Sequence, residues 1–455
     1  MAIQSINPAT GEKIHLYEEA SPEEIEQTLQ SADRAFAEWR ETDFSKRAML
    51  LKAAGELLRK DAGDYAKLMA LEMGKPVSQG HDEVEKCAWA CDYFAENAER
   101  FLAPEPFKTD ASASFVAFKP LGVVLAVMPW NFPFWQVFRA AAPALMAGNA
   151  MVLKHASNVP GCALAIEKIF RDAGFPVGLF GNLLLGKERA DSLVDHPVIK
   201  AATLTGSVAA GRAIASRAGK ALKKTVLELG GSDPYIVLED ANLEKTVETC
   251  VAARLVNGGQ SCIAAKRFIV HKAVRTEFEK LFVERMKQQK TGDPLDESVT
   301  MGPMAREDLR GELHKQVERS IAQGAKLLLG GTVPEGKGFF YPPTVLTDVR
   351  KRMPAFDEET FGPVAAIIEA ADEAEAIRMA NDSVFGLGAA VFTRDIARGQ
   401  RIAAEELQAG ACFVNAAVKS DPRLPFGGIK ESGYGRELSV FGIREFVNVK
   451  TVFVK

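Results

Sequence analysis

Little in the sequence points to a membrane, a secreted scaffold or a nucleic acid. The longest apolar stretch, around Gly122 to Met128, falls far short of the roughly 20 residues a helix needs to span a bilayer. No basic segment followed by an apolar run opens the chain, so no signal peptide is expected. Six cysteines (Cys87, Cys91, Cys162, Cys250, Cys262 and Cys412) are scattered through 455 residues, which argues against a disulfide framework and fits a reducing cytosol. Cys87 and Cys91 share a helix face, but no His cluster or second Cys pair accompanies them. Two small buried residues are therefore expected there, not a metal site. The formal net charge is only -4, without the basic excess that nucleic acid or an anionic membrane surface selects. Internal repeats, low-complexity linkers and the dinucleotide fingerprint G-x-G-x-x-G are also missing.

What is present is an ordinary globular composition, 47% hydrophobic and 25% charged, on a chain too long for one core. Two or three lobes are expected. Residues 21–105 read as helices. Ser21-Pro-Glu-Glu supplies an N-cap, a Pro at the first helical position and acids in the first turn. Asp43 to Lys60 and Asp82 to Phe101 carry apolar residues at helical spacing. From Ser114 onward short strand-like runs begin, Phe115-Val-Ala-Phe and Val123-Val-Leu-Ala-Val.

A β-α-β rhythm follows. Strands are expected at Met151–Leu153, Asn182–Leu185, Lys200–Thr205 and Tyr235–Leu238, with helices over Gly161–Ala173 and Val208–Ala218. This order argues for a parallel sheet covered on both faces. A second alternating region follows Cys262: strands at Phe268–Val270, Lys326–Leu329 and Val364–Ile368, and helices over Val274–Lys290, Arg306–Gln323 and Glu373–Asn381. The last residues, Glu445 to Val454, alternate like an edge strand that seeks a partner in another subunit.

Four local patterns carry chemistry. In Asn257-Gly-Gly-Gln-Ser-Cys262 a Gly pair lets the backbone pass close to another group. A helix starting at that Cys would lower the thiol pKa and offer N–H donors to an oxyanion. Taken alone, Cys262 also fits a small core residue. In Glu228-Leu-Gly-Gly231 an acid ends an apolar stretch, where desolvation would raise its pKa and suit it as a general base; a solvated loop acid is the other reading. In Pro129-Trp-Asn-Phe-Pro133 the Asn131 amide sits in a rigid apolar turn and is able to donate to an oxyanion, though Asn between prolines is also plain turn chemistry. Thr205-Gly-Ser-Val-Ala-Ala-Gly211 follows a strand and opens a helix, the setting of a phosphate-binding N-terminus as well as of an ordinary helix start.

In wording and order these patterns resemble the aldehyde dehydrogenase superfamily. Asn7-Pro-Ala-Thr-Gly, Lys154-His-Ala-Ser, Glu358-Glu-Thr-Phe-Gly-Pro363 and Pro425-Phe-Gly-Gly-Ile-Lys-Glu-Ser-Gly433 extend the likeness over essentially the whole chain. The resemblance implies an α/β fold: a Rossmann-like cofactor domain (1–107 and 120–229), an α/β catalytic domain (230–432) and a small β oligomerisation element (108–119 and 433–455). A homodimer or homotetramer in the cytoplasm is implied, with Ser114 to Lys119 and Glu445 to Val454 at the interface.

The resemblance also assigns roles. Cys262 is the nucleophile, and the side chain of Asn131 with the backbone N–H of Cys262 holds the oxyanion. Glu228 activates the hydrolytic water; members that transfer the acyl group to coenzyme A usually lack this acid, so a free carboxylic acid is the expected product. For the cofactor, Gly206 and Ser207 meet the pyrophosphate, Lys154 and Glu359 hold the riboses, and Trp130 and Phe361 complete the cofactor site, Phe361 beside the nicotinamide ribose. NAD-specific relatives tend to carry Glu three residues after the Lys. Here Ser157 stands there, and a hydroxyl beside Lys154 welcomes a 2′-phosphate that a carboxylate would repel. NADP is therefore expected, with NAD as the poorer alternative.

Arg139 stands where succinate-semialdehyde dehydrogenases place an Arg for the distal carboxylate, and a buried guanidinium without an anion is costly. Its other reading is an internal salt bridge. Ser420 matches a further substrate contact, with Phe132, Trp135 and Phe426 as apolar walls. Two departures stand out. Val256 replaces a second substrate Arg found in some members, and Ala264 replaces a second Cys that acts as a redox switch. The expected reaction is oxidation of succinate semialdehyde. Alternatives are glutarate semialdehyde, an aliphatic aldehyde, or a non-catalytic structural protein on the same scaffold.

Overall fold

The computed structural model describes residues 2–455. The N-terminal segment first forms a hairpin, Ala2–Ile6 against Lys13–Glu18. Helix Pro22–Trp39 then starts as the sequence dictates: the Ser21 side chain accepts from the Glu24 N–H while the Glu24 carboxylate accepts from the Ser21 N–H. Helix Phe44–Lys60 is capped by Asp43. The long helix Val77–Phe101 starts five residues before the expected Asp82. It buries Val84, Cys87, Ala88, Cys91, Phe94 and Ala98 at spacings of three and four, so both cysteines of the i, i+4 pair serve as packing. Helix Trp135–Met146 is buried over its whole length.

The first large sheet runs in the spatial order Gly433–Tyr434, Lys224–Glu228, Ile199–Thr205, Val123–Met128, Ala150–His155, Phe180–Asn182. All neighbours are parallel except the first pair. Chain order reverses between Val123–Met128 and Ile199–Thr205, and ligands of open parallel sheets bind at the carboxyl ends beside such a reversal. The loops after Met128, His155, Thr205 and Glu228 lie at those ends. The strand expected at Asn182–Leu185 is shifted to Phe180–Asn182, because the Phe180–Asn182 backbone pairs with Met151–Leu153.

A seven-stranded sheet forms the other lobe, in the order Lys326–Leu329, Thr344–Thr347, Val364–Ala370, Arg267–His271, Pro234–Val237, Gly388–Phe392, Ala411–Val414. Only its first pair is antiparallel. A third, antiparallel sheet joins Val447–Val454, Ala113–Pro120 and Glu105–Pro106. The boundary expected at 433 moves: Gly433 and Tyr434 pair with Glu228 and Leu227, so these two residues belong to the first sheet. No helix among the described residues is long and apolar enough to cross a membrane.

Candidate active site

Cys262 lies between helix Leu243–Leu255 and strand Arg267–His271, on a loop forced into an unusual path. Asn257 (φ 52°), Gly258 (φ 61°) and Gly259 (φ 75°) are successive left-handed residues. A side chain on Gly259 would come within 2.3 Å of the Gly362 carbonyl, so the Gly here answers a contact as well as a dihedral. Gly231 of the Glu-Leu-Gly-Gly turn approaches the loop equally closely: a Cβ there would sit 2.6 Å from the Cys262 carbonyl oxygen. The two motifs with the strongest resemblance are thus packed against each other.

Buried donors hold this loop. The Lys266 ammonium donates to the carbonyls of Ser261 (2.9 Å), Cys262 (2.7 Å) and Ala264 (3.1 Å). Asn131 Nδ2 donates to the Gln260 carbonyl at 3.1 Å, and Asn257 Nδ2 donates to the Asn131 carbonyl at 2.8 Å. Asn131 is thereby tied to the segment two residues before the thiol. Its remaining amide proton and the Cys262 N–H have no protein acceptor among the described residues, which suits both for an oxyanion.

No helix starts at Cys262; the residue sits in a turn after the short 3-10 segment Val256–Gly259. The condition for a lowered thiol pKa, a helix start at Cys262, is therefore not met. Burial pushes the Cys262 thiol up to about 12, opposed by the positive charges of Arg139 and Lys266. At rest Cys262 is therefore a neutral thiol.

Glu228 is buried at the end of strand Lys224–Glu228, and neither carboxylate oxygen has a hydrogen-bond partner. Burial, then the negative charge of Glu437, pushes its pKa well above the carboxylate range; Arg139 and Arg436 pull against this. A side chain on Gly427 would meet Glu228 Oε1 at 2.7 Å, so the Pro425–Gly433 segment closes over this carboxylate.

Cys262 lines a cavity of about 370 Å³ together with Phe132, Trp135, Phe426, Arg139 and Ser420, which brings all five expected substrate residues to one place. Arg139, however, is not free. Its guanidinium is ion-paired with buried Glu437, donates from Nη2 to Thr205 Oγ1 at 3.2 Å, and lies over the Phe426 ring. The internal salt bridge is the reading that the structure bears out. Glu437 went unrecognised because it follows the Pro425–Gly433 motif by four residues and pairs across nearly 300 residues of chain. A second residue missed from sequence is Lys86, on the same cavity wall, whose ammonium donates to Ser420 Oγ at 2.8 Å. On a charged amphipathic helix it carried no distinguishing signal.

The expected cofactor residues gather at the carboxyl ends of the first sheet. Lys154 is the penultimate residue of strand Ala150–His155, is buried, and has no ion-pair partner among the described residues; burial lowers its pKa. Ser157 is exposed three residues on. Ser207 caps helix Val208–Lys220 and is exposed, while the Gly206 N–H donates to the Glu228 carbonyl at 2.9 Å. Trp130 and Phe361 meet edge to face, with ring centroids 5.8 Å apart. Glu359 is committed within the protein: it accepts from the Gly231 N–H at 2.9 Å, with the Lys266 ammonium 3.7 Å away. A buried lone ammonium, an exposed hydroxyl and a helix N-terminus on one sheet end fit a phosphorylated dinucleotide.

The comparisons agree with this geometry. The family model described as the aldehyde dehydrogenase family matches residues 1–452. A protein of Synechocystis sp. named a probable NADP(+) succinate-semialdehyde dehydrogenase is 50% identical over 454 residues, covering 100% of both chains. An NAD(P)+ succinate semialdehyde dehydrogenase of Escherichia coli is 49% identical over 449 residues, covering 99% of this chain and 97% of the relative. The crystal structure of succinic semialdehyde dehydrogenase from Streptococcus pyogenes in complex with NADP+ superposes with a TM-score of 0.97, at 37% identity and full coverage of both chains. The chain belongs to the aldehyde dehydrogenase family.

Proposed function

We propose that this enzyme oxidises succinate semialdehyde to succinate with NADP. The observation that carries the reading is the cavity itself: a thiol, an apolar wall of Phe132, Trp135 and Phe426, and cationic side chains around one space. The full-length likeness to enzymes named for this substrate supports it.

The chemistry runs through Cys262. The Cys262 thiol gives up its proton to bulk water, and the thiolate attacks the aldehyde carbon to give a thiohemiacetal. Asn131 Nδ2 and the Cys262 N–H stabilise the oxyanion. A bound nicotinamide supplies the acceptor for the hydride that this intermediate loses. Cys262 then carries a thioester. Glu228 removes a proton from water, which attacks the thioester carbonyl; the C–S bond breaks and Cys262 leaves as thiolate. With an acid at 228 the thioester ends as a free carboxylic acid.

Lys154 and Ser157 bind the adenosine 2′-phosphate in this reading, Gly206 and Ser207 the pyrophosphate. Glu359 and Phe361 serve the nicotinamide ribose, which requires Glu359 to exchange its Gly231 contact for the sugar. The protein is a cytoplasmic homo-oligomer in which strand Val447–Val454, with exposed Val449 and Phe453, extends a partner's sheet. The test of function is reduction of NADP or NAD with succinate semialdehyde beside propionaldehyde, followed by absorbance of the reduced nicotinamide. Faster turnover with the semialdehyde and NADP is expected; equal rates for both aldehydes would remove the substrate assignment.

A further inference from the structure

Three cationic side chains line the cavity that holds Cys262: Lys86, Arg139 and Lys419. They differ in what their charge already meets. Lys419 is exposed at the rim. Arg139 is neutralised by Glu437 and its Nη2 is engaged by Thr205. Lys86 is half-buried and forms no ion pair among the described residues. Its ammonium contacts Ser420 Oγ at 2.8 Å and lies 4.3 Å from the centroid of the Trp135 ring. Ser420 Oγ in turn accepts from Trp135 Nε1 at 3.2 Å. Val256, on the same cavity lining, brings no charge.

We propose that Lys86, with the Ser420 hydroxyl and the Trp135 indole N–H, binds the distal carboxylate of the aldehyde and sets the enzyme's preference for anionic substrates. The ammonium and the indole N–H converge on a single hydroxyl oxygen, so an entering carboxylate finds three donors already gathered. A desolvated cation with no counter-ion is unfavourable until an anion arrives, and the binding of that anion relieves it. Arg139, already paired, shapes the wall through Phe426 and does not supply the missing charge. The proposal rests on the semialdehyde reading in needing a carboxylate on the substrate, but not on its chain length.

The charge state of Lys86 gives a second readout. Burial, with the neighbouring Arg139 charge, lowers its pKa to about 8, while Cys87, Glu83 and Asp421 act weakly in the other direction. Glu83 itself is paired with Lys75 and caps the N–H groups of Phe134 and Trp135. As pH rises through about 8 the free enzyme loses the ammonium. KM for an anionic aldehyde should then climb, and KM for a neutral aldehyde should not follow it.

The experiment measures kcat and KM of the intact enzyme with succinate semialdehyde, glutarate semialdehyde and butyraldehyde, for wild type, Lys86→Met, Lys86→Arg and Arg139→Met. Lys86→Met is expected to cut the semialdehyde-to-butyraldehyde ratio of kcat/KM by about tenfold or more, through KM, with Lys86→Arg retaining part of the preference. The rise of semialdehyde KM above pH 8 should vanish in Lys86→Met. A preference kept in Lys86→Met, or lost equally for all three aldehydes, would overturn the proposal. If wild type prefers the five-carbon semialdehyde and Lys86→Met abolishes that preference, Lys86 stands and the succinate reading falls. If wild type prefers neither semialdehyde over butyraldehyde, both fall.

Discussion

Replacing Arg139 with Met should damage folding more than it damages substrate binding. The Arg139 and Glu437 side chains are only 2% and 5% exposed, and Glu437 forms no other ion pair among the described residues. Removing the guanidinium strands a buried carboxylate beside a second one, Glu228, whose pKa Glu437 already helps to raise. Breaking a buried pair by deleting one partner typically costs about 3–5 kcal/mol, whereas replacing both by apolar groups is often close to neutral. The single variants Arg139→Met and Glu437→Leu should each unfold at clearly lower urea concentration. The double variant should recover most of the loss, with a coupling of about 2 kcal/mol or more. The assay is urea unfolding followed by fluorescence and by activity, with all four proteins at one concentration. An Arg139→Met enzyme as stable as wild type, with KM for the semialdehyde raised about a hundredfold, would refute this reasoning and return Arg139 to the role of substrate anchor.

Two further outcomes follow from the site. Glu228→Gln should lower kcat by about 10²–10⁴-fold and turn the progress curve into a burst of NADPH followed by a slow phase, since acylation outruns deacylation. Because Glu228 acts as a base only when ionised and its pKa is raised, wild-type kcat should fall as pH drops below that raised value. The variant should lose this limb of the stopped-flow and steady-state pH profiles. Ser157→Glu should raise KM for NADP by about tenfold or more while sparing NAD, because a carboxylate beside Lys154 repels a 2′-phosphate and suits a 2′-hydroxyl. Unchanged NADP kinetics would place the phosphate elsewhere.

How much of this was legible in sequence depends on the range of the interaction involved. Local rules sufficed for the Ser21 N-cap. Periodicity alone located the helix that buries Cys87 and Cys91, though not its first five residues. The β-α-β rhythm placed the strands that end at His155 and Thr205, but not the strand that ends at Glu228. Family likeness brought Phe132, Trp135, Phe426, Arg139 and Ser420 to one cavity. What could not be read was pairing across long stretches of chain. Arg139 meets Glu437, and Lys86 meets Ser420, with nothing in either local pattern to announce it. The state of the thiol was not legible for a related reason. Its pKa follows from burial and from the shape of a left-handed Asn-Gly-Gly turn, which replaces the helix start that would have lowered it.

The most direct test of the mechanism is intact-mass and peptide-level mass spectrometry of the Glu228→Gln enzyme, quenched with acid soon after mixing with NADP and succinate semialdehyde. The adduct expected is a succinyl thioester on the Cys262 peptide, accumulating with the NADPH burst and absent when Cys262→Ala, still able to bind NADP, is treated alike. NADPH formation without an acyl adduct, or an adduct on another residue, would contradict covalent catalysis through Cys262.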